Sequence, residues 1–435
     1  MTITTKSALP RLVVSDGQGQ VFDVPELDMV GMSLNEPRIP RDNELIPMPY
    51  GSTLFELPGR TALGYDRYRD RIVPLRRYKG KKVIAVAAFM APAHTQIYRA
   101  AYLSTESPVP LLPLFAYTAV GWKEGQFWVT GFRVDSDIRH DPAQFDFSRI
   151  EQQAQEVLKK YPRNRLVHHL VTNCVQRSGC PGAYNFVLGR WECPVPTSPG
   201  CNARCVGCIS RQPEGTVPPT QERLNFVPTI EEILEFTIPH LNQAPRAIIS
   251  FGQGCEGEPL LQGALLEEAI RTIRKQTSRG TINLNTNGSR PEVVERLCQA
   301  GLDSIRVSLN SAQKTYYQRY FEPVDYSFED VIETIKIVRR YGRWVSLNYF
   351  IFPGFTDHPQ EMEHLVHLMQ KVDIQMIQLR NLNMDPEWYI RQLRLEELPS
   401  NSIGILSWRD TLKNQFPALR FGYFNPPKED WSDGY

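Results

Sequence analysis

Three cysteines carry the most pointed chemistry in this sequence: Cys201-Asn-Ala-Arg-Cys205-Val-Gly-Cys208. Thiolates spaced this closely can face one inorganic cluster from a single loop, and iron–sulfur clusters are held by such thiolates. Three local ligands leave one iron of a cubane without a thiolate. An electron carrier would supply a fourth cysteine, whereas a catalyst would keep that iron open for a ligand. Zinc is the competing occupant, but it wants four ligands, usually from paired cysteines or histidines. No histidine lies within twenty residues of the triad.

The other cysteines are unevenly placed. Of eight in the chain, six fall between Cys174 and Cys208, followed by Cys255 and Cys298. Local clustering in a long chain points to metal or catalysis rather than to a disulfide framework. Cys255 stands two residues before Gly257, at the end of a strand-like run. It could serve as a ligand, a substrate contact or a packed residue. Cys298, inside the helix-like run Pro291–Ala300, reads as core.

The elements that must position these residues follow from hydrophobic periodicity. Residues 1–165 are rich in proline and aromatics and contain strand-like runs at Lys82–Phe89 and Gln126–Arg133, then a helix-like stretch at Ser148–Tyr161. Together they predict a mixed, β-rich domain. Residues 166–200 read as a cysteine-bearing connector, in which Pro194, Pro196 and Pro199 keep the backbone out of a helix up to Cys201. From 200 to 400 short apolar runs alternate with amphipathic helices: Thr229–Leu241, then strand Ala247–Phe251; Leu260–Gln276, then Thr281–Leu284; Pro291–Ala300, then Ser304–Leu309; Phe328–Tyr341, then Trp344–Ile351; His358–Val372, then Ile374–Leu379. Such alternation implies parallel βαβ units, an α/β fold of the partial or full (β/α) barrel kind or a doubly wound sheet. Ligands of either architecture sit at the C-terminal ends of the strands. Residues 401–435 are left as a C-terminal extension.

The triad spacing, in a loop opening a βα-repeat domain, resembles the signature of the radical S-adenosylmethionine (SAM) superfamily, and the resemblance covers about 195–390. Gly257-Glu258-Pro259, after the run Ala247–Phe251, resembles the family's Gly-Glu-Pro motif, which holds the methionine amino group. Asn287 ends the next strand, in Asn285-Thr286-Asn287-Gly288. Ser308 and Asn310 end the one after it, where the family commonly places ribose or carboxylate contacts. Pro353-Gly354-Phe355 follows the next strand, and Arg380 and Asn381 end the last clear one. Gly207 departs from the aromatic residue that many members carry before the third cysteine. The resemblance implies a [4Fe-4S] cluster on Cys201, Cys205 and Cys208, SAM on its open iron, and reductive cleavage to a 5′-deoxyadenosyl radical. It also implies an electron donor such as a ferredoxin or flavodoxin, and a substrate that is a small molecule, a peptide or RNA. Family members often bind an auxiliary cluster through further cysteines, which makes Cys174, Cys180, Cys193 and Cys255 candidates for a second iron–sulfur centre. The alternative is that they are small buried hydrophobes. Arg204 either tunes the cluster's charge, holds a SAM carboxylate or lies on the loop surface.

Composition bounds the rest. The chain has 435 residues, 41% of them hydrophobic and 22% charged, with a net charge of +1. Bulk charge therefore favours neither a nucleic-acid nor a membrane partner. The longest apolar run, Val83–Ala91, falls short of the ~20 residues a bilayer requires. The opening MTITTKSALPRL lacks an apolar core of signal-peptide length. A cytoplasmic location is expected. Arg67–Lys82 is a basic run around two tyrosines; a solvated loop is the favoured reading and an RNA grip the other. His364 and His367 read as a solvated helix face, and His168-His169 as structural residues pointing apart in a strand. Two other classes remain in contention: an electron-transfer iron–sulfur protein without SAM chemistry, and a zinc-stabilised RNA-binding module.

Overall fold

A computed structural model of the chain describes residues 9–105 and 108–431. Residues 1–8, which form most of the segment read for a leader, lie outside them. The chain forms two compact units. One comprises the described residues up to Ser136 with Phe350–Met362 and Arg380–Thr411. The other comprises Asp137–Tyr349, Glu363–Leu379 and the described residues from Leu412.

The second unit is built on a seven-stranded sheet whose strands follow one another in chain order: β1 Glu192–Val195, β2 Ile248–Phe251, β3 Thr281–Thr286, β4 Ser304–Leu309, β5 Trp344–Ile351, β6 Met376–Asn381 and β7 Arg420–Gly422. The strands pair in parallel from β1 to β5 and between β6 and β7. Helices Ile230–Gln243, Gly263–Gln276, Pro291–Ala300 and Phe328–Arg340 link successive strands. This is the winding of a partial (β/α) barrel. Every residue of β2 and β3 is buried, as expected for strands covered on both faces. Pro194 is tolerated in β1 because that strand stands at the edge of the order, where a ladder donor can be missing. Thr229 starts the first of these helices with a reciprocal cap: its side chain accepts from the Glu232 N–H, and the Glu232 carboxylate accepts from the Thr229 N–H.

Periodicity located most of these elements, three of them (Pro291–Ala300, β4 and β5) to the residue. It missed helix Lys314–Phe321 and β7, which draws residues 420–422 of the C-terminal segment into the sheet. It also misread 165–177. His168 and His169 are not in a strand but at the end of helix Arg165–His169, which continues into a π-helix, Leu170–Arg177. The buried set Leu166, Val167, Leu170, Val171, Cys174 and Val175 has helical spacing, and that pattern decides the conformation.

The first unit is built on an eleven-stranded antiparallel sheet. The apolar run near Val83–Ala91 forms its strand Ile84–Phe89. Ala85 and Ala87 enter one hydrophobic cluster and Val86 and Ala88 another, so the strand is buried on both faces. Gly354 in this unit has φ +93°, and a Cβ there would lie 2.3 Å from the Leu34 nitrogen. Only glycine fits that close backbone approach. No described helix is long and apolar enough to cross a membrane.

Candidate active site

The triad loop begins where β1 ends, and the turn after β2 is laced to it. The Gly257 N–H donates to the Ser198 carbonyl at 2.7 Å, and the Glu258 N–H to the Gly200 carbonyl at 2.8 Å. The approach leaves no space for a side chain: a Cβ on Gly257 would fall 1.8 Å from the Gly200 oxygen. Glu256 locks the junction from inside. One carboxylate oxygen accepts from the Thr197 and Ser198 N–H groups at 2.7 and 2.9 Å. The other accepts from Gly252 and Gln253 at 2.8 and 2.7 Å. Burial pushes Glu256 up to about 7, opposed by these four backbone donors. Donors on both oxygens favour the ionised form.

Glu258 is buried one turn further on. Its Oε1 accepts from Thr286 Oγ1 at 2.5 Å and the Leu260 N–H at 3.1 Å, and its Oε2 accepts from the Asn287 N–H at 2.9 Å. Burial pushes this carboxyl up to about 7 as well, against the pull of the same donors. A carboxylate offers about four acceptor positions. Three are taken, which leaves room for one more donor, such as an ammonium group.

Asn287 reaches back to the triad loop. Its Nδ2 donates to Asn202 Oδ1 at 2.9 Å, and Asn202 in turn donates to Asp325 at 2.9 Å. On the loop's other side the Arg204 N–H donates to the Phe321 carbonyl and the Val206 N–H to the Tyr320 carbonyl. The loop is thus held by main-chain bonds from two directions before any ligand is considered.

Cys201, Cys205 and Cys208 are all free thiols. Burial pushes Cys201 up to about 11 and Cys205 well above the ordinary thiol range, and other triad sulfurs add to both shifts. Cys201 and Cys205, whose ionisation is opposed by burial and by neighbouring sulfurs, form with Cys208 a donor set suited to a cationic centre. Arg223 brings a positive group to the site, donating to Cys208 Sγ at 3.4 Å and to Ser210 Oγ at 3.1 Å. The arrangement fits an iron–sulfur cluster with a polar ligand beside it.

The remaining residues singled out from the sequence fall as follows. Ser308 and Asn310 stand at the end of β4; Ser308 accepts from Asn348 at 3.4 Å, and Asn310 donates to the Tyr316 carbonyl at 3.2 Å. Arg380 and Asn381 end β6, and the Asn381 amide is engaged on both sides, accepting from the Gln96 N–H at 2.9 Å and donating to the His94 carbonyl at 3.0 Å. Cys174 and Cys255 come together with their sulfurs 3.6 Å apart. Cys193 is buried in β1 and Cys298 in helix Pro291–Ala300. Arg204, His364 and His367 are exposed. The basic run 67–82 is largely exposed, with Arg67 paired to Asp28 and Arg69 to Asp66. Sequence reasoning missed Asn202, Arg223, Glu256 and His169. Glu256 adjoins the Gly-Glu-Pro motif and Asn202 the first cysteine, so adjacency was their signal. Nothing in the spacing marks Arg223.

Comparison with known proteins gives the same picture. Residues 195–368 match the signature of the Radical SAM superfamily. An uncharacterised protein of Methanocaldococcus jannaschii is 26% identical over 206 residues, covering 47% of this chain and 62% of that one. A probable GTP 3′,8-cyclase of Thermococcus kodakarensis is 34% identical over 102 residues, covering 23% and 32%. A probable dual-specificity RNA methyltransferase RlmN of Thermosipho melanesiensis is 26% identical over 199 residues, covering 43% and 55%. The chain therefore spans less than two thirds of the length of each. Among solved structures, methylornithine synthase superposes with a TM-score of 0.38 at 13% identity, covering 63% of this chain and 74% of that one. Residues 195–368, which carry the cysteine triad and the Gly-Glu-Pro turn, form a domain of the radical SAM superfamily.

Proposed function

We propose that this protein is a radical SAM enzyme that holds a [4Fe-4S] cluster on Cys201, Cys205 and Cys208 and binds SAM beside it. The observation that carries the reading is the lacing of Gly257 and Glu258 to Ser198 and Gly200, which ties the Gly-Glu-Pro turn to the cysteine loop. When bound, the cluster supplies one electron to the SAM sulfonium, giving methionine and a 5′-deoxyadenosyl radical that abstracts hydrogen from substrate. The protein's own part is to bind, orient and exclude water. Glu258 has one acceptor position left for the methionyl ammonium. Arg223 partly offsets the negative charge at Cys208. Asn287 and Asn202 fix the loop between the two motifs. Ser308 and Asn310 at the end of β4 are the proposed contacts to the remainder of SAM.

Residues 1–165 are assigned to shaping or recruiting the substrate, 166–200 to a second metal-bearing segment, 200–400 to the SAM-cleaving core and 401–435 to an extension of it. The substrate belongs to the small molecules, peptides or RNAs, and a ferredoxin or flavodoxin supplies the electron. The decisive experiment is anaerobic reconstitution followed by SAM and dithionite. The expected products are 5′-deoxyadenosine and methionine, lost in the Cys201→Ala/Cys205→Ala/Cys208→Ala variant. A preparation with intact cluster absorbance that forms no 5′-deoxyadenosine would overturn the reading.

A further inference from the structure

We infer that His169, Cys174 and Cys255 form a second metal site, one that binds a single tetrahedral divalent ion of the zinc class. Among the described residues these three bring one imidazole nitrogen and two thiol sulfurs within 4.8 Å of one another. All three side chains are buried, His169 at 7%, Cys174 at 2% and Cys255 at 4% exposure. His169 Nε2 makes no well-formed hydrogen bond among the described residues; it faces the Cys255 thiol. A buried imidazole nitrogen held by no more than a weak sulfur contact is better satisfied by a metal ion.

The backbone supplies a reason for the pairing. In an α-helix of 3.6 residues per turn, residues five apart point about 140° away from each other. The π-helix Leu170–Arg177 widens the turn to i→i+5, which brings His169 and Cys174 onto one face. Asn173 Nδ2 lies 2.9 Å from His169 Nδ1. With its amide turned about, Asn173 accepts the Nδ1 proton through Oδ1, holding the tautomer whose Nε2 is free to ligate.

Spacing selects the kind of metal. Zinc–thiolate bonds of ~2.3 Å at the tetrahedral angle place two sulfurs about 3.8 Å apart. Cys174 and Cys255 stand at 3.6 Å as free thiols. A cubane spreads its thiolates over separate irons and needs a wider spacing. The fourth position falls to water or to Cys180, whose main-chain N–H bonds the Cys174 carbonyl at 2.8 Å but whose thiol stands outside the close-set group. Cys193 is not a member of the set. Because Cys255 precedes Glu258 by three residues, the ion would pin the turn that carries the Gly-Glu-Pro motif.

The test uses the full chain with Cys201, Cys205 and Cys208 all changed to serine, so that its result is independent of SAM cleavage. This protein should retain one equivalent of Zn²⁺ through dialysis. With Co²⁺ it should show thiolate charge-transfer absorption and tetrahedral ligand-field bands. Cys174→Ser and Cys255→Ser should each weaken binding at least a hundredfold. His169→Gln should weaken it ten- to a hundredfold and shift the cobalt spectrum, as should Cys180→Ser where its thiol is the fourth ligand, and Asn173→Ala should cost about tenfold. Cys298→Ser, a buried thiol elsewhere, should bind normally; far-ultraviolet circular dichroism of each variant separates lost ligation from lost folding. No retained zinc, undiminished binding by folded Cys174→Ser or Cys255→Ser, or iron and sulfide in the same protein would each overturn the assignment. Unchanged binding by Cys180→Ser would give the fourth position to water.

Discussion

Glu258 Oε2 accepts a hydrogen bond from the Asn287 main chain at 2.9 Å, joining the turn after β2 to the end of β3. Thr286 Oγ1 and the Leu260 N–H occupy the other oxygen. A carboxylate can serve all three donors, but a glutamine cannot, because its amide nitrogen must face one of them. Glu258→Gln should therefore lose about 1–3 kcal/mol of stability. It should also bind SAM on the order of tenfold or more weakly, since an ammonium loses its anionic partner. Urea denaturation and equilibrium dialysis of the cluster-loaded protein measure the two effects. SAM affinity equal to wild type would mean that Glu258 organises the turn without contacting the ligand.

The contact between Gly257 and Gly200 gives a steric prediction. A Cβ at Gly257 meets backbone at 1.8 Å, so the turn and the cysteine loop must separate. Gly257→Ala should lower both iron retention and SAM binding by at least tenfold, through displacement rather than loss of any ligand. Gly342→Ala is the control. Its φ is +65° but a Cβ there meets nothing within 4 Å, so it should cost only about 1 kcal/mol of backbone strain. Iron content and SAM affinity of the two variants, measured side by side, decide the matter; equal values would remove the steric argument.

How much of this was legible in the sequence depends on the physics involved. The triad, the Gly-Glu-Pro turn and strands β2 to β6 of the parallel sheet announce themselves through local spacing, because cluster ligation and period-driven burial act within a few residues; β1 and β7 do not. Helix Lys314–Phe321 was hidden because Lys314, Gln318 and Arg319 break up its apolar stripe. The link from Arg223 to Cys208 spans fifteen residues of irregular chain, and no periodicity encodes it. His169 was misjudged for a different reason: a pairing between residues five apart exists only in a π-helix, which sequence patterns built on 3.6 and 2.0 do not represent.

In the first unit, Arg60 and Asp385 form an ion pair at 2.7 Å with both side chains 1% exposed. Asp385 also accepts from the Leu112 N–H at 2.9 Å and caps helix Pro386–Leu393. Removing one charge leaves the other buried, which typically costs 3–5 kcal/mol. Glu387, 3.2 Å from the same guanidinium, offsets part of this. Asp385→Asn should thus destabilise the protein by about 3 kcal/mol, read from the denaturant midpoint. Arg60→Met/Asp385→Leu should be less destabilised than Asp385→Asn, because no lone charge remains. A double variant worse than the single would show that the pair stabilises beyond its mutual neutralisation.

His240 predicts a pH dependence of stability. Its Nε2 lies 2.9 Å from the Trp191 carbonyl, and the side chain is buried. Burial lowers its pKa from the ordinary 6.5 to about 4, against the opposing pulls of the Trp191 carbonyl and Glu192. The unfolded chain then takes up the proton at a higher pH than the folded one. The stability that comes from keeping the ring neutral is fully present above pH 6.5 and is lost as pH falls from there towards 4, to a total on the order of 3 kcal/mol. His240→Gln retains a donor for the Trp191 carbonyl but does not titrate. Urea denaturation between pH 7.5 and 4.5 should show the wild type losing more stability with acid than the variant, with the gap opening below pH 6.5. Parallel profiles would mean that the ring is already protonated, or reaches water, in the folded protein.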